Sequence, residues 1–527
     1  MTWAVAGPER AWRRLAGWAG PRAEWPSRLV LAWTGLRRVG SPAGLALVVC
    51  GVALALGATV LGPLLAGLLL LAPVAVRRPP VCLVLLVVVE VTNLAYRVPG
   101  RLFWPLSMLG VAAVAVALRD PVTRARVCRP LALVGALLAV YLGAQVVAAL
   151  AAQRSDLAYA ALGPTIVDTA YIALVAALAV LSARPWALAL AITVPLVALS
   201  MLAVVNQVGF GATVDFGGFA TVTNATGELA TTPRQSGPLL DSNFWGRHLV
   251  IALPLALALL ARAARSGSAR RTAAWVLAIA ALLGGMYLTQ SRGTFIAAAC
   301  AGATWALVSG PDVRRWCVRL LPPLALLALL PGIGNRLVAL VGYVGGNAAY
   351  GLDWSVLVRR AAQEIALAMF RDRPLLGVGP GGYVALLTAY ADKVATAVPV
   401  PVDAAHNLYL QLAAESGLVG LAGWLVMFAG FTAMAWGAVR RRAGAGAATA
   451  QRQLAAAVLA SLLGWAVASV FLHLAHYRTL GTLLALAACV AAEPGVGVQR
   501  VGVQRGARAA RRPVAVGITA LAALDAR

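Results

Sequence analysis

Residues 371–427 read RDRPLLGVGPGGYVALLTAYADKVATAVPVPVDAAHNLYLQLAAESGLVGLAGWLVM. The stretch opens on a glycine-rich turn (Gly377, Gly379, Gly381, Gly382) and passes through His406-Asn407. It then runs by way of Glu415-Ser416-Gly417 into an apolar run of membrane-crossing length. In hydrocarbon every backbone N–H and C=O must be satisfied within the segment, so such a run reads as a helix entering a bilayer. Polar side chains able to handle a proton thus collect beside a membrane surface, in a chain with only four histidines.

Outward from this stretch the apolar pattern repeats. The chain has 527 residues, 61% of them hydrophobic and 12% charged. Apolar blocks of roughly 17 to 23 residues recur, the length that crosses about 30 Å of hydrocarbon. They fall at 80–96, 101–118, 130–152, 166–182, 185–206, 243–262, 273–289, 293–309, 317–333, 417–439, 454–472 and 478–492. The apolar stretch from Pro42 to Val76 is too long for one span, and Gly57, Gly62 and Pro63 offer a hairpin between two more. The expectation is an all-α polytopic membrane protein with about fourteen transmembrane helices.

The formal net charge of +26 invites a nucleic-acid reading that the placement of the charge excludes. The arginines sit in short clusters between apolar blocks, as the positive-inside bias requires. With the N-terminus inside, Arg77-Arg78, Arg119 to Arg129, Arg184, Arg262 to Arg271, Arg314 to Arg319 and Arg440 to Arg442 all fall in alternate, cytoplasmic loops. The six cysteines are scattered, with no metal-ligand spacing and no disulfide framework.

The chain divides accordingly. Residues 1–40, rich in Arg and Trp, form a cytoplasmic, partly interfacial segment. Residues 41–206 carry the N-terminal transmembrane helices, 207–492 a membrane core, and 493–527 a basic cytoplasmic tail containing VGVQR twice. Two long loops, 207–241 and 334–416, fall outside, and the second carries Arg336, Arg359, Arg360, Arg371, Arg373 and Lys393 against the bias. Within it Asp353 can cap a helix running to about Phe370, with apolar residues at helical spacing, which could lie on the membrane with Arg359-Arg360 near the headgroups.

Four places carry candidate chemistry. His406 can take a proton from an attacking hydroxyl, or serve as a structural interfacial residue. Arg292, in Ser291-Arg292-Gly293 between two apolar blocks, needs an anionic partner such as a lipid diphosphate, or else snorkels to headgroups. Asp241 or Asn243 caps the helix that follows, and His248 one turn inside reads as a satisfied polar residue. His473 and His476 stand three apart without a nearby carboxylate or thiolate, so no metal is expected. GVGPGG at 377–382 follows no strand and lacks GK[ST]; its glycines permit a tight backbone path rather than a nucleotide cradle.

Four motifs, DSNFWGRHLVIALPLALALL, LTQSRGTFIAA, RDRPLLGVGPGGY and AHNLYLQLAAESGLVGLAGWL, in that order over roughly 240–435, resemble the O-antigen ligase and polymerase superfamily. The resemblance implies a GT-C-like membrane glycosyltransferase with a long, partly helical extracytoplasmic loop, working without metal or cofactor. Its partners are then a lipid-diphosphate-linked (undecaprenyl) glycan donor, a glycan or glycolipid acceptor and membrane lipids, at the outer face of a bacterial plasma membrane. By the same resemblance His406 is the general base, and Arg292 with Arg359 or Arg360 holds the diphosphate. The register that puts Ala366, Met369 and Phe370 at apolar positions favours Arg359, although Gln363 stands where the family often has Trp. Asp241, Asn243, Asn407 and Glu415 are supporting residues, and the usual Asp-Pro-Asn is Asp241-Ser242-Asn243 here. The alternative class is a polytopic transporter or lipid-linked glycan flippase. It would use intramembrane acids, of which Glu90 is the clearest and Asp168 lies near a helix end.

Overall fold

The computed structural model describes residues 72–97, 103–223, 233–311, 313–315, 354–394, 404–442, 447–474 and 477–492. The segment 1–40, the hairpin within 42–76, the span at 317–333, Asp353, His476 and the tail from 493 lie outside them. The chain divides into two compact units, Met1–Val74 and Ala75–Arg527, and every element below belongs to the second.

Its helices are α1 (Pro79–Val91), the single turn α2 (Leu94–Arg97), α3 (Phe103–Ala117), α4 (Pro121–Leu150), α5 (Ser155–Ser182) and α6 (Pro185–Phe210). After a small hairpin come α7 (Ser242–Arg265), α8 (Ala269–Thr289), α9 (Arg292–Ser309), α10 (Trp354–Asp372), α11 (Gly382–Ala391), α12 (Leu408–Arg441), α13 (Ala447–Ala468) and α14 (Tyr477–Ala492). Each expected span within the described residues coincides with a helix. Six of these, α4 to α8 and α12, are long and apolar enough to cross a membrane. Helix starts follow local chemistry. Prolines occupy the first turn of α1, α4 and α6, where a missing N–H costs nothing. Asp120, Asp241, Ser268, Ser291 and Asn407 cap α4, α7, α8, α9 and α12.

Helices α7, α13 and α14 form the centre of the bundle, with side chains buried all round rather than along one stripe. Small residues let them approach their neighbours. A Cβ at Gly246 of α7 would overlap Thr294 of α9, and one at Gly481 of α14 would overlap Ile172 of α5. The loop arginines gather at one end of the bundle and close helix C-termini there. Arg442 Nη2 donates to Val490 O at 2.7 Å, Arg441 Nη2 to Ala491 O at 3.0 Å, and Arg452 Nη2 to Val308 O at 3.2 Å. Those carbonyls have no intrahelical partner and carry the negative end of the helix dipole.

The described residues are mostly helical, consistent with an all-α membrane protein, and one short strand pair sits in a loop. In the loop after α6, β1 (Thr221–Thr223) pairs antiparallel with β2 (Arg234–Gly237), with Val222 opposite Gln235 and Thr223 opposite Arg234. Side chains fix the pair where its ladder is too short to hold itself. Asn206, at the end of α6, donates to Ala220 O at 3.0 Å, and Thr221 Oγ1 bonds Gly237 O at 2.7 Å.

Candidate active site at the loop end of the bundle

The site end is organised by a broken helix. Residue Gly417 interrupts α12 with φ 61° and ψ −162°, a conformation open essentially to glycine alone. A break in a membrane helix strands carbonyls on one side and N–H groups on the other. Here the segment Pro374–Gly379 fills it. Val378 N donates to Ala414 O and Gly379 N to Glu415 O, both at 2.9 Å, satisfying the upstream carbonyls. Leu418 N donates to Pro374 O at 2.8 Å and Val419 N to Leu375 O at 3.1 Å, satisfying the downstream donors. A Cβ at Gly377 would fall on the Glu415 backbone, and one at Gly417 on the Leu375 carbonyl. The glycine-rich turn is therefore a backbone plug. Its far side rests on the α4–α5 turn, where Gln153 N donates to Val378 O at 3.1 Å. The Glu415 carboxylate accepts from Tyr383 N at 3.3 Å, and so sits at the start of α11.

Helix α10 packs its stripe of Ala361, Ala362, Ile365, Ala366 and Met369 on α11 and the first half of α12, with Tyr383 Oη donating to Ala362 O at 2.8 Å. Its apolar face is covered by protein, and this replaces the expectation of a helix laid on the lipid surface. The packing also separates the two loop arginines. Arg360 is exposed and pairs with Glu364 at 3.0 Å. Arg359 is half-buried and lies two turns, about 10 Å, before Ala366 on the buried face. Lys393 bonds Asp372 at 3.0 Å, tying the end of α11 to the end of α10.

His406 stands at the junction of this cap and the bundle. Ala405 before it is fully buried in the α10–α12 cluster. After it, Asn407 Oδ1 accepts from Tyr409 N and Leu410 N at 3.0 and 3.1 Å, while Leu408 N donates to Ser469 O at 2.9 Å. Pinned on both sides, His406 adopts a left-handed backbone, φ 48°, at a cost of about 1–2 kcal/mol. Its ring lies 6.2 Å from that of His473.

His473 belongs to the irregular segment 469–474 that follows α13, ahead of α14, whose length of about 24 Å is shorter than a full span. Arg247, fully buried in α7, holds it: Nη1 donates to His473 O at 3.0 Å, and the guanidinium stacks 5.0 Å from both Phe244 and Trp465. Phe471 of the same connection packs on Gly293. Between them lies a small pocket lined by Asn243, Ser291, Gly293, Thr294 and Phe471, with Arg292 half-buried at the first turn of α9. Asp241 is the cap of α7, accepting from Asn243 N at 2.7 Å and Phe244 N at 3.1 Å. Asn243 faces Arg234, whose Nη2 reaches Asn243 Oδ1 at 3.3 Å and whose Nε reaches Thr289 O at 3.1 Å. Asn243, the Arg292 turn and His406 thus converge on the 469–474 connection, whereas Arg359 is carried on α10.

Three residues of this region escape sequence reading. Arg234 and Arg247 sit in β2 and an apolar helix, and their partners include backbone carbonyls, the Asn243 amide oxygen and aromatic rings that no motif announces. Arg478, at the start of α14, faces Asp168 at 3.3 Å and Glu90 at 3.6 Å. A lone arginine opening an apolar block is the only signal. His248 is buried, with Nδ1 on Phe244 O at 2.9 Å and Nε2 on Thr479 Oγ1 at 3.0 Å, as a satisfied core histidine should be.

Residues 275–425 match the family model described as O-antigen ligase. The matched region runs from α8 across the break in α12, taking in Arg292, Arg359, Arg360, His406, Asn407, the plug and Glu415. It supports the O-antigen ligase/polymerase superfamily, and with it membrane glycan assembly of that kind. A comparison with curated proteins gives no match.

Proposed function

On the premise of that O-antigen ligase region, we propose that the protein transfers or polymerises a glycan from an undecaprenyl-diphosphate-linked donor onto a hydroxyl of a glycan or glycolipid. The reaction occurs at the outer face of a bacterial plasma membrane, within a GT-C-like bundle of about fourteen spans whose core is 207–492 with loop 334–416. His406 accepts the proton of the attacking hydroxyl. Arg292 and Arg359 bind the diphosphate and stabilise the negative charge that grows on it as the glycosyl bond breaks, so no metal is required. Asp241, Asn243, Asn407 and Glu415 hold the segments in place.

The observation that carries the reading is the strained backbone of His406, fixed between a buried cap and a capped helix end, inside the O-antigen ligase region. Strain at a polar residue persists where surrounding structure over-determines it, and such positions cluster at working sites. The test is transfer by the purified protein from a lipid-diphosphate glycan donor with a chelator present. Product forms at the rate seen without chelator. Activity that disappears with chelator would contradict the metal-free mechanism, and no transfer to any hydroxyl acceptor would contradict the assignment.

A further inference from the structure

A hydrogen-bonded chain of three side chains runs through the core beneath the candidate site. His248 Nδ1 meets Phe244 O at 2.9 Å, His248 Nε2 meets Thr479 Oγ1 at 3.0 Å, and Thr479 Oγ1 meets Glu90 Oε1 at 3.4 Å. It links α7, α14 and α1. Arg478, next to Thr479, joins Glu90 to Asp168 of α5. Arg478 and Asp168 each lie about 21 Å of helix from the arginine end of the bundle, and Asp168 stands near the middle of α5.

The protons in this chain can be counted. Phe244 O only accepts, so His248 Nδ1 carries a hydrogen. Thr479 has one hydroxyl proton and two neighbours, His248 Nε2 and a Glu90 oxygen. If the imidazole is neutral, Thr479 donates to Nε2, and Glu90 must then be a carboxylic acid that donates to Thr479. If Glu90 is a carboxylate, Thr479 donates to it, and Nε2 must carry a second imidazole hydrogen. With a neutral imidazole and a carboxylate together, one of the two contacts brings lone pair against lone pair at a buried hydroxyl, which costs about 1–3 kcal/mol.

Charge balance asks for the same proton independently. Asp168 and Arg478 cancel, and Tyr171 is neutral with its hydroxyl on Leu86 O at 3.1 Å. Over Glu90, Asp168 and Arg478, a bare Glu90 carboxylate leaves one negative charge in excess inside the bundle, and a proton on Glu90 brings that sum to zero.

We propose that His248, Thr479 and Glu90 form a proton-binding relay that holds a single exchangeable proton. Transfer along it breaks Glu90 O–H and Thr479 O–H and forms Thr479 O–H and His248 Nε2–H, with no other reactant. The relay positions the start of α14 and the 469–474 connection whose His473 faces His406. It stands apart from the glycan reading and does not depend on it.

The test reads the proton directly. The full-length protein, reconstituted in lipid nanodiscs at neutral pH, is compared with E90Q by infrared spectroscopy for a protonated carboxylic acid band. Histidine-labelled protein is compared with H248Q by nitrogen NMR for an imidazolium. With four histidines the assignment is tractable, and if H248Q fails to fold it comes from substituting the other three in turn. Exactly one of the two signals is expected, lost in its own variant. Neither signal, or both, overturns the proposal. A melting comparison separates a proton site from mere packing: Glu90→Gln restores the proton count with its amide and keeps the wild-type midpoint, whereas Glu90→Ala lowers it. Equal loss in both variants also overturns it.

Discussion

Replacing Gly417 with alanine tests the plugged helix break. The backbone there lies in a region that costs a residue with a side chain about 1–3 kcal/mol. The new Cβ would also fall on the Leu375 carbonyl, a backbone atom that cannot swing aside. Relief requires Pro374–Gly379 to withdraw, loosening four hydrogen bonds between the segment and the break. At about 1 kcal/mol each, these bring the expected loss to about 6 kcal/mol. In a protein of this size that lowers the melting midpoint by about 5 °C. A thiol-reactive fluorophore in detergent reads it in protein with Cys50 and Cys317 replaced by serine, since Cys82 and Cys489 are buried and react only on unfolding, while Cys128 and Cys300 are exposed and set the baseline. Gly143→Ala, where nothing lies within 4 Å of the added Cβ, is the matched control and should be neutral or slightly stabilising. A G417A protein melting within about 2 °C of wild type would refute the account of the break.

Two further outcomes follow from the loop subdomain. Arg359→Ala should slow transfer by about 100-fold or more, the effect of losing a donor to developing charge. Arg360→Ala, which removes an exposed pair with Glu364, should stay within about threefold in the same transfer assay. The Asp372 carboxyl is held below its usual range by hydrogen bonds from Lys393 first and Tyr390 second. Because its folded value is depressed, the stabilisation is present above the ordinary Asp value of about 3.9 and is lost as pH falls through the folded value. Limited proteolysis of 354–394 should therefore separate wild type from Asp372→Asn at neutral pH, and the difference should close in acid. A difference that persists in acid would assign the effect to packing instead.

The helices among the described residues were legible because membrane-length apolar blocks admit one backbone solution, and six of them are long and apolar enough to cross a membrane. The Arg441 and Arg442 contacts show arginines of one such cluster closing a helix end, a role that loop counting does not reveal. What the residues could not disclose was pairing across long separations. Nothing in GVGPGG names the Glu415-Ser416-Gly417 break as its partner, since backbone hydrogen bonds leave no side-chain signature. Glu90 and Arg478 are likewise remote in sequence, and each alone reads as an isolated charge in an apolar block. The amphipathic spacing of α10 was visible, but whether lipid or protein would cover its apolar stripe was not, because both are equally apolar. His406 and Arg292 were singled out by residue type and place. Their common approach to the 469–474 connection needed the fold.

The most direct measurement of the central claim compares His406→Ala with wild type in transfer from a purified lipid-diphosphate glycan donor, with the thiol melt run on the same samples. Loss of a general base predicts a rate lower by about 100- to 10,000-fold. The melting midpoint should stay near the wild-type value, since Ala405 remains buried and Asn407 still caps α12. Transfer near the wild-type rate by a folded His406→Ala protein would contradict the assignment of His406 as the base.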